Sequence, residues 1–500
     1  MNHPTQDRRR IFGICRRAAL SALAVAIVLL LAVVATGSAQ AQSYIYGVLY
    51  SFTGGADGAY PQAGLVLDAQ NNLYGTTTGG GASAAGTVFK VDASGQETVL
   101  YSFTGGADGA SPYGGVVLDG QGNLYGTTYG GGASGAGTVF KLDTSGNETV
   151  LHSFANSPDG ANPRAGVVLD AQGNLYGTTS GGGDSYGEGT VFMVDMSGNE
   201  TLLHTFTGED GIWPFGGLVE DGQGNLYGTT EWGGGKFMSG TVFEVDATGN
   251  FTLLYDFGRL PDGEFPVATL TWYAGGLFGT TSYGGLHNKG TAFWLDPDEN
   301  VFYYFGNRGS GTYPLSGLVL DANTGIMYGT TSQGGAHHGG TVYELDMYSN
   351  QAELHSFSGK KGDGAFPAAG LALGLQGEWI NLYGTTEIGG TYGRGTVFAL
   401  LNSAAATTTA LTSAPNPSTY GQAVTFTAVV SGASGAPPNG ETVTFMKVKA
   451  VLGTGTLSGG SASFTTSALP VGHSVVRAVY GGDALFPGST SNTVNQVVKR

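Results

Sequence analysis

Six Asp-Gly pairs, at Asp57, Asp108, Asp159, Asp210, Asp262 and Asp363, each stand a few residues before a proline, at Pro61, Pro112, Pro163, Pro214, Pro266 and Pro367. Such a pair before a proline is first of all a turn. Carboxylates recurring around a ring could instead bind calcium, which takes several oxygen ligands, but one Asp per repeat is sparse for such a cage. The corresponding loop before Pro314 has lost the Asp. A second set of loops carries variable decoration: Tyr129, Ser180, Glu231 with Trp232, Tyr283, Gln333 and Glu387. Flat rings at Trp232, Tyr129 and Tyr283 could stack on sugars while acidic neighbours accept hydroxyl hydrogen bonds, or they could be ordinary solvated loop variation.

Other chemistry is thinly supplied. His152, His204 and His355 fall at the position that Tyr50, Tyr101 and Tyr255 occupy elsewhere, which reads as surface aromatic substitution. His337 and His338 are adjacent without the spacing of a ligand set, so no metal site is expected. No catalytic constellation and no cofactor motif is evident. A sialidase needs an arginine cluster, and the repeats hold only Arg164, Arg259, Arg308 and Arg394. Trp213, Trp232, Trp272, Trp294 and Trp379 do not recur in register, against a tryptophan-docked quinoprotein.

The elements that must position these loops repeat. LYGTT or a close variant starts at Leu73, Leu124, Leu175, Leu226, Leu277, Met327 and Leu382, and its aromatic positions lie 51, 51, 51, 51, 50 and 55 residues apart. One unit holds four short runs, 64–68, 72–77, 86–92 and 97–103, here called A to D. They are rich in Val, Leu, Tyr, Phe and Thr and are separated by Gly, Asn, Asp and Ser, which is strand chemistry punctuated by turns. Four strands repeated radially predict a β-propeller. Run A is apolar without alternation. Run D alternates, with Val99, Tyr101 and Phe103 facing one way. The last unit stops after its C run at Leu401, while an unmatched D run, Tyr46 to Phe52, precedes the first A. The fold class predicted is therefore all-β: a seven-bladed β-propeller over 43–402, closed by the N-terminal strand. In such a blade the D-to-A and B-to-C loops share one face.

Glycine is 90 of 500 residues, at fixed repeat positions, so it meets turn demand and does not mark disorder. Arginines at 8–10 and 16–17, a long apolar run and small residues at Ala39 and Ala41 read as a signal peptide over 1–41, with a retained membrane anchor as the alternative. Cleavage would leave 15 basic against 36 acidic side chains, a net charge of −21, which disfavours nucleic acid and anionic membranes as partners. The single cysteine, Cys15, lies in that leader, so the mature chain has no disulfide.

After Leu401 the composition shifts to Ala, Thr, Ser and Pro, and new alternating strands over 403–500 predict a linker and a small β-sandwich. The segments TTTALTSAPNPSTYGQAVTFTAVV, GETVTFM and ASFTTSALPVGHSVVRAVYGGDALFPGSTS resemble the repeat-type bacterial Ig-like domains of surface proteins, over Thr407 to Val498. LYGTT, GTVF, the DG pair with its proline and GLVLD with its GN turn resemble the bacterial GloVer tandem-repeat proteins, over Tyr46 to Asn402. That resemblance implies export and cell-surface association and brings no defined activity. The expectation is a secreted or cell-surface monomer that binds a glycan or a surface protein; the alternative is a secreted propeller hydrolase or lyase acting on polysaccharide.

Overall fold

The computed structural model describes residues 44–500 apart from 259, 297, 308–309, 377–378, 403–406, 433–435, 438, 449 and 483–485, so the leader segment lies outside the described residues. Among the described residues every regular element is a strand, and no helix is long and apolar enough to cross a membrane.

The repeats form seven four-stranded antiparallel sheets. Sheet 1 runs A to D as Val66–Leu67, Leu73–Thr77, Thr87–Val91 and Glu97–Ser102. Sheets 2 to 6 follow in order along the chain. Sheet 7 takes Ala372–Gln376, Trp379–Thr386 and Thr396–Asn402 from the last unit and Tyr44–Ser51 from the N-terminal end as its fourth strand. That strand pairs Tyr44 with Asn402 and Ser51 with Thr396, as the unmatched D run requires.

Each residue of LYGTT has a separate task. Leu73 is buried in the core. The Tyr74 hydroxyl donates to Asp68 Oδ2 at 3.0 Å, tying strand B to its own turn. Gly75 is required because a Cβ there would lie 2.7 Å from the Phe89 ring and 2.8 Å from Leu65. Thr76 donates to the Gly114 carbonyl of sheet 2 at 3.0 Å. Thr77, fully buried, bonds Thr87 at 2.8 Å and the Gly79 carbonyl at 3.0 Å, locking B to C at the root of their loop.

The Thr76 bond recurs from sheet to sheet and returns to its start. Thr127 donates to Ala165, Thr178 to Gly216, Thr229 to Ala268, Thr280 to Ser316, Thr330 to Ala369, and Thr385 to Ala63 of the first unit. Aromatic pairs trace the same cycle, from Phe52 against Phe89 through to Phe357 against Phe398, with ring centroids 5.0 to 5.3 Å apart in every step. Each such pair adds about 0.5–1.5 kcal/mol beyond its buried area.

Two expectations need correction. Strand A of sheets 1 to 4 is only two residues long, Val66–Leu67 in sheet 1, because the chain before it is spent on contacts with neighbouring sheets. Strand D does not alternate throughout. Tyr101 pairs Val88 and Val99 pairs Phe89, so a bulge absorbs Leu100 and places Leu100 and Tyr101 on the same apolar cluster.

The C-terminal part pairs a three-stranded sheet (Thr407–Ala414, Val424–Gly432, Ser461–Thr466) with a larger one built around Gly472–Gly482. Val424, Phe426, Ala428 and Val430 point inward at alternate positions, as a sandwich requires. One apolar cluster takes in Phe52, Leu65 and Leu401 of the repeats together with Leu411, Phe426 and Phe486 of the sandwich.

Candidate functional site: an aromatic arc on the loop face

The D-to-A and B-to-C loops meet through short backbone pairs. Ala59 bridges Gly79, Ile212 bridges Trp232, and in sheet 5 the contact is a two-residue ribbon, Gly263–Glu264 with Tyr283–Gly284. The residue before each loop proline is left-handed: Tyr60, Ser111, Asn162, Trp213, Phe265, Tyr313 and Phe366 have φ of 51 to 59° and none is glycine. Left-handed backbone costs a bulky residue on the order of 1–3 kcal/mol. It is held by two backbone hydrogen bonds, seen at Trp213, whose N–H donates to Glu188 O at 2.9 Å and whose carbonyl accepts from Glu231 N at 3.0 Å. Five of the seven residues are aromatic, so the strain fixes rings in place.

Three of those rings, Trp213, Phe265 and Tyr313, join the loop tips in a continuous arc. Tyr129 meets Tyr113 at 5.3 Å, and the Arg164 guanidinium lies over Tyr113, Tyr129 and Phe215 at 5.5, 5.4 and 4.3 Å from their centroids. Phe215 is parallel to Trp213 at 6.2 Å, and Trp213 meets Trp232 edge-on at 6.5 Å. Trp232 lies on Phe265 at 4.5 Å, Phe265 meets Tyr283 at 5.8 Å, and Tyr283 meets Tyr313 at 4.9 Å. Lys289 ends the row, 4.4 Å above the Tyr313 ring. Trp213, Trp232 and Tyr283 are 43, 39 and 41% exposed, whereas Tyr129 is half-buried. Beneath the Arg164 end lies a cavity of about 380 Å³ lined by Tyr129, Asn162, Arg164, Ser180, Trp213 and Phe215, with two loop glycines. Sequence reasoning found the three tips Trp232, Tyr129 and Tyr283, which the structure sets in one arc, and missed Trp213, Phe265 and Tyr313. Their signal is positional: the residue before the recurring proline is repeatedly aromatic.

The six aspartates turn back on their own loops. Asp57 accepts from Thr53 N at 2.7 Å and from the Tyr50 hydroxyl at 3.0 Å, and Asp108 repeats this with Thr104 and Tyr101. Asp159, Asp210 and Asp363 accept a backbone N–H and face His152, His204 and His355 at 3.0, 2.9 and 3.4 Å. Asp262 accepts from Gly258 N at 2.5 Å and from Tyr255 at 3.2 Å. In the loop without an aspartate, Ser310 accepts the equivalent bond from Gly306 N at 3.0 Å. The three histidines do take the place of Tyr50, Tyr101 and Tyr255 against the loop aspartates, but beneath the surface and not on it. They are mostly buried partners of the loop carboxylates. Burial alone would raise Asp57, Asp108, Asp210 and Asp363, but the hydrogen bonds outweigh it and hold these carboxyls below the usual range. Asp262 is pushed up by its deeper burial. Among the described residues no three His, Cys, Asp or Glu side chains gather as metal ligands would.

A model of the Gloeobacter/Verrucomicrobia repeat matches residues 38–185 and 149–324. The chain belongs to this repeat family. A model of the bacterial Ig-like domain, group 3, matches residues 411–499. Both resemblances drawn from the sequence are thereby supported. The comparison with curated proteins gives no match. Among solved structures, the extracellular domain of a B. thetaiotaomicron protein described as a one component system is similar over 92% of this chain, at 12% identity and a TM-score of 0.48. The chain covers 58% of that structure's own length, less than two thirds. An alpha-L-arabinofuranosidase from Clostridium thermocellum is similar over 48% of this chain and 92% of its own, at 14% identity and a TM-score of 0.28.

Proposed function

We propose that the seven sheets are the blades of a seven-bladed β-propeller closed by the N-terminal strand, and that the chain is an exported binding or adhesion protein whose loop face takes polysaccharide. The ring reading is supported by the Thr and Phe contacts that pass from sheet to sheet and back to the first. Export is supported by the basic, apolar and small-residue order of residues 1–41. The observation that carries the binding reading is the arc from Tyr113 to Tyr313, whose exposed rings Trp213, Trp232 and Tyr283 offer flat apolar surface on backbone fixed before anything binds. Glu231, half-buried beside Trp232, supplies an acceptor for sugar hydroxyls. The protein acts as a monomer, calls on no cofactor, and uses the Ig-like domain as a spacer.

The experiment is a panel of soluble and insoluble polysaccharides presented to the mature protein and scored for both retention and product release. Retention without new reducing ends is the expected outcome. Release of oligosaccharide would establish the hydrolase or lyase reading, and failure to retain any polymer would refute glycan recognition.

A further inference from the structure

The arc carries a guanidinium, Arg164, near its Tyr113 end. Arg164 follows Pro163, and the corresponding residues after the other loop prolines are Gln62, Tyr113, Phe215, Val267, Leu315 and Ala368, none of them charged. Its guanidinium is set among three rings, closest to Phe215 at 4.3 Å. Nε is buried with no hydrogen-bond partner among the described residues, and no carboxylate of a described residue forms an ion pair with the side chain. Glu231 feels the charge of Arg164, which partly offsets the effect of burial on its carboxyl, yet the two make no direct contact within ion-pair distance. A guanidinium partly removed from water without a counter-charge is unfavourable, and a ligand anion would reverse that cost. It is all the less expected by chance in a chain whose formal net charge is −17.

Resting on the glycan-binding reading above, we propose that the Arg164 cavity is a carboxylate subsite and that the polysaccharide taken along the arc carries uronate units. A guanidinium presents two parallel N–H donors that match a planar carboxylate, a fit that an ammonium lacks. Asn162 and Ser180 line the same cavity and can meet the hydroxyls beside the carboxylate. Phe215 and Trp213, parallel at 6.2 Å, continue from the guanidinium as a flat strip on which the sugar ring lies. An acidic peptide shares the carboxylate but has no broad C–H face for that strip.

The test is calorimetric titration of the mature protein with short oligomers of galacturonate, guluronate, mannuronate and glucuronate, each as the free acid and as its methyl ester, with polyglutamate as a further arm. At least one acid should bind ten-fold or more tightly than its own ester. Arg164→Gln should erase that preference, read as the ratio of acid to ester affinity within the variant, and Arg164→Lys should keep only part of it. Should Arg164→Gln fail to fold, the acid-against-ester comparison on the unaltered protein still decides. Equal binding of acid and ester, or a preference that survives Arg164→Gln, overturns the carboxylate subsite and leaves glycan binding standing. Equal binding of polyglutamate overturns the uronate assignment, and so does binding of none of the four saccharides in either form, while glycan recognition as such falls only if the polysaccharide panel also shows no retention.

Discussion

At the scale of single residues, exposure and support are divided between neighbours. Trp232 is 39% exposed and rests on Phe265 with one edge against Trp213, so its removal uncovers no core. Trp232→Ala should weaken a polysaccharide ligand by more than ten-fold, about 1.4 kcal/mol, with an unchanged melting temperature; calorimetry with a thermal scan checks both. Glu97 and Glu148 behave differently. Burial, with help from Asp57 and Asp108 respectively, pushes each carboxyl up to about 7, and one oxygen of each is buried with no partner among the described residues. A raised folded-state pKa gives stability that is complete below the unfolded value near 4.5 and is lost as pH rises through 7. The double variant Glu97→Gln, Glu148→Gln should therefore melt higher than the parent at pH 8 and alike at pH 4. The depressed loop aspartates act in the opposite sense, losing their contribution as pH falls below the ordinary carboxylate range. At this scale the sequence exposed the loop tips, whose types vary on a constant frame. It hid the histidine partners, because His152 and Asp159 meet across a loop, and no short-range pattern announces a bond seven residues apart.

Elements are joined by a few close approaches that leave no room for change. Gly86 has φ of +96°, and a Cβ there would lie 2.3 Å from the Thr77 carbonyl oxygen and 2.7 Å from Pro112 of the next loop. Gly86→Ala should destabilise by about 2 kcal/mol or more, measured by denaturant melts, because the strained φ and the overlap act together. The first strand is the other sensitive element. It covers the edge of Thr396–Asn402 along its whole length. Deletion of residues 44–52 should expose that edge and give aggregation or a large fall in melting temperature, read by light scattering during a thermal ramp. Strand number, order and the N-terminal completion of sheet 7 were legible, since turn residues and β-branched runs recur in phase. The bulge at Leu100 was not, because a period-two pattern cannot show where one strand carries a residue more than its partner.

For the whole molecule, the repeats place all seven loop pairs at equivalent positions while allowing each pair its own side chains. The near-identical turns at the other ends, such as 119–123 and 143–147, offer no such variety. The Ig-like part buries its own alternating core, and residues 407–499 expressed alone should unfold in one cooperative transition; a molten product would mean that the apolar cluster shared with the repeats is indispensable. The central claim is that binding belongs to the aromatic arc. It is tested most directly by titrating a retained polysaccharide into the full mature chain and into the triple variant Trp213→Ala, Trp232→Ala, Tyr283→Ala, with matched melting curves. Loss of measurable heat in the variant, at an unchanged melting temperature, is the predicted result; an affinity within two-fold of the parent's would contradict it.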